Sequence, residues 1–322
     1  ALFVTFFPQL IAGPIVHHKE MMPQFAKELL YRLRLENLAI GVSIFVIGLF
    51  KKVVLADGMA VYATPVFDAA EAEVSLTLFE AWGEALAYTL QLYFDFSGYS
   101  DMAIGLARMF GVRLPLNFNS PYKATSIIDF WRRWHITLSR FLRDYLYIPL
   151  GGNRRGPLLR NINILVTMLI GGLWHGAGWT FVLWGGLHGL FLLTNHAWRG
   201  LQKRVPISIG AFFCWLITML AVVTSWVPFR AESIKGAMQI LGAMIGANGI
   251  SLTVSLEGRL GSIESWLISH GMVFEGMFNN ELFGEAKYFI IALFSLILIA
   301  TIFPNTQQVM NRFRPAFEIY RE

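Results

Sequence analysis

The chain is poor in cysteine and in charged residues, and both shortages narrow the class of protein. Its 322 residues include one cysteine, Cys214, which excludes a disulfide framework and a zinc site built from thiolates. Charged residues make up 15% of the chain, against about 25% in soluble proteins. The net charge of +5 comes from basic residues that lie between long apolar runs. This arrangement does not favour nucleic-acid binding, and the composition excludes a disordered chain.

Several motifs of common enzymes are also missing. The sequence contains no Walker-type phosphate loop, no HExxH zinc pair and no GxSxG serine elbow. The neighbouring His17 and His18 are a weak indication of a metal site, because adjacent side chains on regular structure point in different directions. We therefore predict no metal and no permanently bound cofactor.

Hydrophobic residues, in contrast, make up 55% of the chain, and the mean hydropathy is +0.53. A helix needs about 20 mostly apolar residues to cross a bilayer. Four stretches approach this length, and a fifth region is long enough for a helical hairpin that is broken between Gly176 and Gly178. The chain is therefore predicted to be an all-α polytopic membrane protein. The four stretches are 38–56, 84–107, 207–227 and 288–303, and the hairpin is 162–194.

The loops between these stretches differ in charge, which predicts their sides of the membrane. Residues 57–84 hold six acidic and no basic residues, and the 248–286 loop is also acidic, so both are expected to be extracytoplasmic. Residues 108–160 hold nine arginines and one lysine against two aspartates. This predicts a cytoplasmic or re-entrant segment, rich in basic and aromatic residues, at 113–160. Lys51 and Lys52 break the pattern near an outer helix end, where long side chains are expected to snorkel.

Residues 126–138 have the pattern of a helix that contains a histidine. Ser126 can cap its start, Asp129 follows three residues later, and apolar residues recur at helical spacing. His135 is expected on or beside that apolar stripe. Taken alone, this stretch favours an interfacial amphipathic helix with a hydrogen-bonded structural histidine.

A second histidine, His175, lies in a glycine-rich apolar stretch at predicted membrane depth. An ionisable group there is costly, so we favour function over the alternative of a histidine that packs helices together. For His188 we favour the packing interpretation. Asp95 and Asp101 could orient a histidine, pair with an arginine, or form a structural ion pair.

Four strings together resemble the membrane-bound O-acyltransferase family, and most closely its bacterial alginate O-acetylase branch. They are FFPQLIAGPI at 6–15, YFDFSGYSD at 93–101, FWRRWHITLS at 130–139 and GLWHG at 172–176. The resemblance implies one membrane-embedded domain over 1–322, a helical bundle with broken or re-entrant helices around a central funnel or tunnel. Members of this branch are usually longer, so we expect the family's N-terminal helices to be missing from this chain.

The resemblance also implies a function. Family members move an acyl group from a cytoplasmic thioester, here acetyl-CoA, to an extracytoplasmic hydroxyl, commonly with a periplasmic acetyltransferase partner and in the bacterial inner membrane. The family's essential histidine matches His175, and its second characteristic position matches His135, which makes a functional His135 the favoured interpretation. Further residues are expected to bind substrate: Trp174, Trp131, Arg132, Arg133, Asp95, Asp101 and Asn117.

We assign roles to these residues as a hypothesis. His175 would act as general base on the acceptor hydroxyl, and His135 would orient the thioester or polarise its carbonyl. Arg132, Arg133 and Arg140 could hold phosphates of coenzyme A or an acidic carrier protein, or simply anchor the cytoplasmic face.

Three alternatives remain open at this point. A transporter could use His175, Asp95 and Asp101 as a proton relay, or a scaffold could recruit an acyltransferase without chemistry of its own. Within the family, a carrier-bound D-alanyl donor is the alternative to acetyl-CoA. Alginate, cellulose and peptidoglycan all remain possible acceptors.

Overall fold

The computed structural model describes residues 2–9, 13–205, 208–252, 257–269, 271–274 and 286–317. Within these ranges the regular structure is almost entirely helical, apart from a parallel pair of two-residue strands. The α-helices are α1 (Leu2–Thr5), α2 (His18–Phe25), α3 (Leu35–Phe50), α4 (Asp57–Glu71), α5 (Leu78–Met109), α6 (Ile127–Arg133), α7 (Ile136–Leu142), α8 (Pro157–His175), α9 (Trp179–Gln202), α10 (Ala211–Arg230), α11 (Ile234–Met244), α12 (Ser262–Ser269), α13 (Ala286–Thr301) and α14 (Thr306–Val309). The strands are β1 (Ile250–Ser251) and β2 (Met272–Val273).

Shorter helical turns join or extend these helices. A π-helical segment, Lys51–Ala56, connects α3 to α4, so that Leu35–Glu71 is one uninterrupted helix of 37 residues. A second π-helical segment, Arg143–Tyr147, extends α7. Four 3₁₀ turns lie at Phe7–Gln9, Glu28–Tyr31, Pro121–Lys123 and Asn311–Phe313.

The helix α3 packs antiparallel against α5 at very short range. A Cβ atom added to Gly48 would lie 2.6 Å from the carbonyl oxygen of Gly98, and the reciprocal distance is 2.7 Å. Small residues at such a contact allow two backbones to approach closely, which is the usual device of helix packing in membranes. On the α5 side of this pair, the ring of Phe96 lies 4.7 Å from the imidazole of His135, measured between centroids.

The prediction of an acidic loop at 57–84 is wrong. The chain is helical up to Glu71 and again from Leu78, which leaves 72–77 as the connection. Two of the six acidic side chains bind helix starts instead. The carboxylate of Glu71 accepts hydrogen bonds from the backbone of Glu232 and Ser233 before α11, and Glu80 accepts one from Thr77 at the start of α5. Carboxylates stabilise helix N-termini by satisfying their free N–H groups.

The predicted hairpin at 162–194 is confirmed. The helices α8 and α9 lie side by side and are interrupted at residues 176–178. The predicted stretches 207–227 and 288–303 correspond to α10 and α13, and 84–107 lies within the longer α5.

Three of the described helices are long and apolar enough to cross a membrane: Leu35–Glu71, Pro157–His175 and Ala211–Arg230. The helix α5 has sufficient length, but it carries more charged side chains than a simple span.

The 248–286 segment is described only in part, through β1, α12 and β2, and residues 253–256, 270 and 275–285 lie outside the described residues. Its extracytoplasmic position stays a prediction.

The main core contains large aromatic side chains from α6, α9, α10 and the turn before α6. Its fully buried aromatic members include Tyr122, Phe130, Trp184 and Trp226. These rings pack around the histidines described next.

Candidate active site

His135 and His175, the two histidines proposed as functional from the sequence, line one cavity of about 260 Å³. Its walls come from α5, α8, α9, α10, the junction of α6 and α7, and the segment before α2, which are far apart in the chain. The imidazole centroids of His135 and His175 lie 6.4 and 5.1 Å from the indole of Trp174, which is 56% exposed. The lining residues are Gly13, Ile15, Leu92, Phe96, Trp134, His135, Trp174, His175, Trp184, Trp226 and Phe229.

His135 lies at a break between two helices and not on a continuous helical stripe, so that prediction is wrong. Its φ of 42° is left-handed, and it separates α6 from α7. The predicted cap at Ser126 is confirmed, because its hydroxyl accepts a hydrogen bond from the amide of Asp129. The helix breaks because Ile136 donates its amide hydrogen to the carbonyl of Asn117 (3.0 Å) in place of a helical bond. A left-handed conformation is costly for a side chain other than glycine and tends to occur at functional sites.

Asn117 fixes the hydrogen-bonding state of His135. The Oδ1 atom of Asn117 accepts hydrogen bonds from the hydroxyl (2.9 Å) and the amide (3.4 Å) of Thr137, while its Nδ2 donates to Ser100. Because an amide N–H can only donate, Oδ1 is an acceptor, and the Nδ1 of His135 at 3.0 Å must carry the proton. The Nε2 atom of neutral His135 therefore has a free lone pair. None of the residues that the structure describes hydrogen-bonds to this atom.

His175 is the last residue of α8 and is held by aromatic rings. Its imidazole makes edge contacts with Trp174, Trp184 and Phe229 at centroid distances of 5.1 to 5.2 Å. Within the described part of the chain, no group hydrogen-bonds to its ring. The imidazole is only partly buried and lines the cavity, so packed side chains do not seal it. Its nitrogens are thus available to a bound molecule.

His188 has both ring nitrogens engaged, in agreement with the packing interpretation. Trp131 donates its indole hydrogen to Nδ1 of His188 (3.2 Å), and Nε2 lies 2.9 Å from the hydroxyl of Ser225. That hydroxyl donates to the carbonyl of Val222, so it accepts from Nε2. The predicted substrate-binding residue Trp131 therefore supports a buried histidine and does not line the cavity.

Asp95 and Asp101 form ion pairs with lysines, and neither contacts a cavity histidine within the described residues. The carboxylate of Asp95 lies 2.7 Å from Lys52, and that of Asp101 lies 2.9 Å from Lys51. Asp101 also accepts a hydrogen bond from Thr306 (2.6 Å). The structural ion pair is the alternative that the geometry favours. Lys51 and Lys52 both form such pairs, and their snorkelling stays a prediction.

The predicted arginines lie outside the cavity. Arg133 is held by Asp129 (2.9 Å), and Arg132 is exposed. Arg140 binds both carboxylate oxygens of Glu20. Burial raises the pKa of Glu20, but the hydrogen bond and the charge of Arg140 outweigh it and hold the pKa below its ordinary value. Arg140 is thus neutralised by its partner and is poorly suited to hold a phosphate.

Comparison with known proteins explains why these features occur together. Residues 1–225 match the membrane-bound O-acyltransferase family. The chain belongs to this family.

Two curated relatives in this family are O-acetylating proteins. The peptidoglycan O-acetyltransferase of Helicobacter pylori is 55% identical over 252 residues, covering 78% of this chain and 47% of that protein. The probable alginate O-acetylase of Azotobacter vinelandii is 45% identical over 264 residues, covering 82% and 51%. The teichoic acid D-alanyltransferase of Streptococcus thermophilus is 28% identical over 211 residues, covering 63% and 51%. The chain spans about half the length of the curated relatives it matches.

Membership of a membrane O-acyltransferase family confirms the resemblance that the four strings indicated and the helical membrane fold that it implied. Sequence reasoning missed several cavity residues, among them Leu92, Phe96, Trp184, Trp226 and Phe229. Their aromatic and aliphatic character is that of ordinary core, because 15% of the whole chain is aromatic. No pattern in the sequence distinguishes the rings that line the cavity from those that fill the core.

Proposed function

We propose that the protein is an O-acyltransferase of the bacterial cytoplasmic membrane that moves an acetyl group from acetyl-CoA toward a hydroxyl of a cell-envelope polysaccharide. The observation that carries this proposal is the shared cavity, in which His135 and His175 both have ring nitrogens free of partners among the described residues. The names of the relatives support an acetyl group and a polysaccharide or peptidoglycan acceptor.

His175 is proposed as the general base. A hydroxyl becomes an effective nucleophile when a base removes its proton during attack, and histidine is suited to this task at neutral pH. The hydroxyl oxygen forms a bond to the thioester carbonyl carbon, and the carbon–sulfur bond breaks. The proton held by His175 then returns to the leaving sulfur, which restores the neutral imidazole.

His135 is proposed to orient the donor. With Nδ1–H bound to Asn117, neutral His135 has no proton on Nε2 and cannot polarise a carbonyl by donation. Of its two expected roles, orientation therefore fits better, through a hydrogen bond accepted from an N–H or O–H of the donor.

The two substrates are proposed to enter from opposite faces and to meet at this cavity. Trp174, which is exposed and touches both histidines, would contact whichever substrate enters past it. A periplasmic acetyltransferase is proposed as the partner that completes transfer to the polysaccharide.

The test is transfer of labelled acetyl groups from acetyl-CoA in proteoliposomes that contain the complete natural protein and its periplasmic partner. The variants are His175→Ala and His135→Ala, with the exposed His18→Ala as matched control. We expect His175→Ala to lose transfer by about 100-fold or more while it stays folded, since general acid–base catalysis contributes about 10²–10⁴-fold. His135→Ala should lose a comparable factor, since a displacement of about 1 Å in a site can cost about 100-fold. The control should retain transfer.

Two outcomes would reject the proposal. Unchanged transfer in His175→Ala would make that histidine structural and would favour a scaffold whose partner carries the chemistry. Proton-driven uptake that requires no thioester would favour a transporter.

A further inference from the structure

A second, larger cavity of about 560 Å³ lies where the start of α3 meets the end of α5. Among the described residues that line it, four are basic and one is a glutamate, and none of them lines the histidine cavity. Its lining residues are Gln24, Lys27, Leu30, Arg34, Glu36, Asn37, Arg108, Gly111, Arg113 and Phe317. Two of them, Arg113 and Phe317, also line an adjoining cavity that contains Arg314.

Arg108 is a buried cation that forms no ion pair with the described residues, although Glu36 in the same lining attracts it. Its side chain is 7% exposed, and its Nε atom is sealed from solvent without a hydrogen-bond partner among the described residues. No acidic side chain in the described ranges pairs with it, since Glu36 is highly exposed and pairs with Arg34 at 3.5 Å. A buried charge is costly unless it is paired and hydrogen-bonded, so proteins seldom leave one alone.

Neighbouring groups are fixed so that further donors surround Arg108. The side-chain amide of Gln24 accepts a hydrogen bond from the backbone N–H of Arg113 (2.8 Å) and donates one to its carbonyl (2.9 Å). Asn37 is 8% exposed, and its amide has no partner in the part of the chain that the structure describes. It lies against Gly111, where the φ of 78° disfavours any other residue and an added Cβ would lie 3.1 Å from Nδ2 of Asn37. Gln24 therefore holds the backbone of Arg113 in place, and Asn37 lines the cavity beside Arg108.

We infer that this cavity binds a phosphate-bearing anion. Guanidinium groups present paired N–H donors that match phosphate oxygens, and a doubly charged group would balance the excess of positive charge in the lining. The phosphate could belong to a soluble ester such as coenzyme A or to the headgroup of an anionic phospholipid, and both present the same oxygens to Arg108.

The position of the cavity suits either source. Arg113 precedes Asn117 by four residues, so their Cα atoms are at most about 14 Å apart. A phosphate held here lies at the end of the bundle where the arginine-rich segment begins. The inference does not rest on the proposed transfer reaction, because binding is measured without acceptor or turnover.

The test is the thermal unfolding midpoint of the complete protein in phosphatidylcholine nanodiscs, with coenzyme A or with phosphate-free pantetheine, and in nanodiscs that contain phosphatidylglycerol. The variants are Arg108→Met and Arg113→Gln, and the exposed Arg154→Gln is the matched control. We expect coenzyme A or phosphatidylglycerol to raise the midpoint of the wild type. Stabilisation by coenzyme A in phosphatidylcholine identifies the soluble ester, and stabilisation by phosphatidylglycerol alone identifies the headgroup.

Arg108→Met should bind about tenfold more weakly or worse, and Arg113→Gln should also weaken binding, while Arg154→Gln binds like the wild type. Without ligand, Arg108→Met should be at least as stable as the wild type, because an unpaired buried charge has been removed. Absence of any midpoint shift with either phosphate source overturns the inference. A second pair of results also overturns the inference: Arg108→Met is strongly destabilised without ligand, and Arg113→Gln binds phosphate normally. Arg108 would then be paired within the protein.

Discussion

Asn117→Ala is the substitution that tests most directly how the site is built. Asn117 is fully buried, and its Oδ1 atom is the shared acceptor for the side chains of His135 and Thr137 and for the amide of Thr137. Alanine removes that acceptor and leaves these donors without a partner. The hydroxyl of Thr137 can rotate to another acceptor, whereas the two N–H groups cannot.

The magnitude follows from those two stranded donors. A buried donor that loses its partner costs about 1–3 kcal/mol, and the amide of Thr137, at 3.4 Å, belongs to the lower end of that range. We therefore expect a loss of stability of about 2–4 kcal/mol. The rate of acetyl transfer should fall by about 100-fold, because His135 is free to change tautomer and to move, and a displacement of about 1 Å in a site can cost that much.

The assay combines thermal unfolding with acetyl transfer and with ¹⁵N NMR of labelled histidine, which reports the tautomer directly. Ser100→Ala is the matched control, since it removes only the partner of Nδ2 and leaves the Oδ1 acceptor intact. It should retain the Nδ1–H tautomer and most of the activity. A folded Asn117→Ala protein with the wild-type tautomer and transfer rate would refute the reasoning.

Three further predictions concern packing, a buried ion pair and pH. Gly172→Ala should destabilise the protein and abolish transfer, because its Cβ would lie 2.2 Å from a carbonyl oxygen of α9. The control Gly200→Ala, which has open space around it, should be neutral or stabilising. Equal thermal unfolding midpoints for the two variants would contradict this prediction. Lys51→Met should cost about 3–5 kcal/mol by stranding buried Asp101, measured by chemical unfolding in detergent, and a variant as stable as the wild type would show that the pair contributes nothing. Glu20→Gln should reduce stability by about 1–2 kcal/mol at neutral pH. The folded carboxyl has a pKa below its ordinary 4.5, so this difference is present above pH 4.5 and shrinks as pH falls through the lower folded value; a difference that persists unchanged at pH 3 would be the wrong result.

The sequence was sufficient where one local signal dominated. The glycines at 176–178 predicted the break between α8 and α9, and the structure has that break at the same residues. Gly176 and Gly178 are the cap residues of α8 and α9, and glycine is disfavoured inside helices and common at their ends. His175 lies beside that break, at the end of α8.

The sequence was insufficient where distant groups compete with local pattern. Residues 126–138 carry a helical repeat, yet hydrogen bonds donated to Asn117 interrupt the helix at His135. The acidic residues before position 84 have the composition of a loop, yet Glu71 and Glu80 cap helices. The partners of His135 and Glu71 are distant in sequence, so a count of local residues does not contain these hydrogen bonds, whereas Glu80 caps α5 through Thr77, three residues before it.

The amino-acid sequence by itself determined the class of this protein, a helical membrane protein of the O-acyltransferase family. It also identified His135 and His175 as the two candidate functional histidines. The length of the apolar stretches, the glycine breaks and the four motif strings are local properties, so they can be recognised without knowledge of the fold. The tertiary structure alone decided which residues share a cavity, which ring nitrogen of His135 carries its proton, and that Asp95 and Asp101 pair with lysines. These outcomes depend on side chains from separate helices meeting within about 3 Å, a relation that packing creates and that no single stretch of sequence encodes.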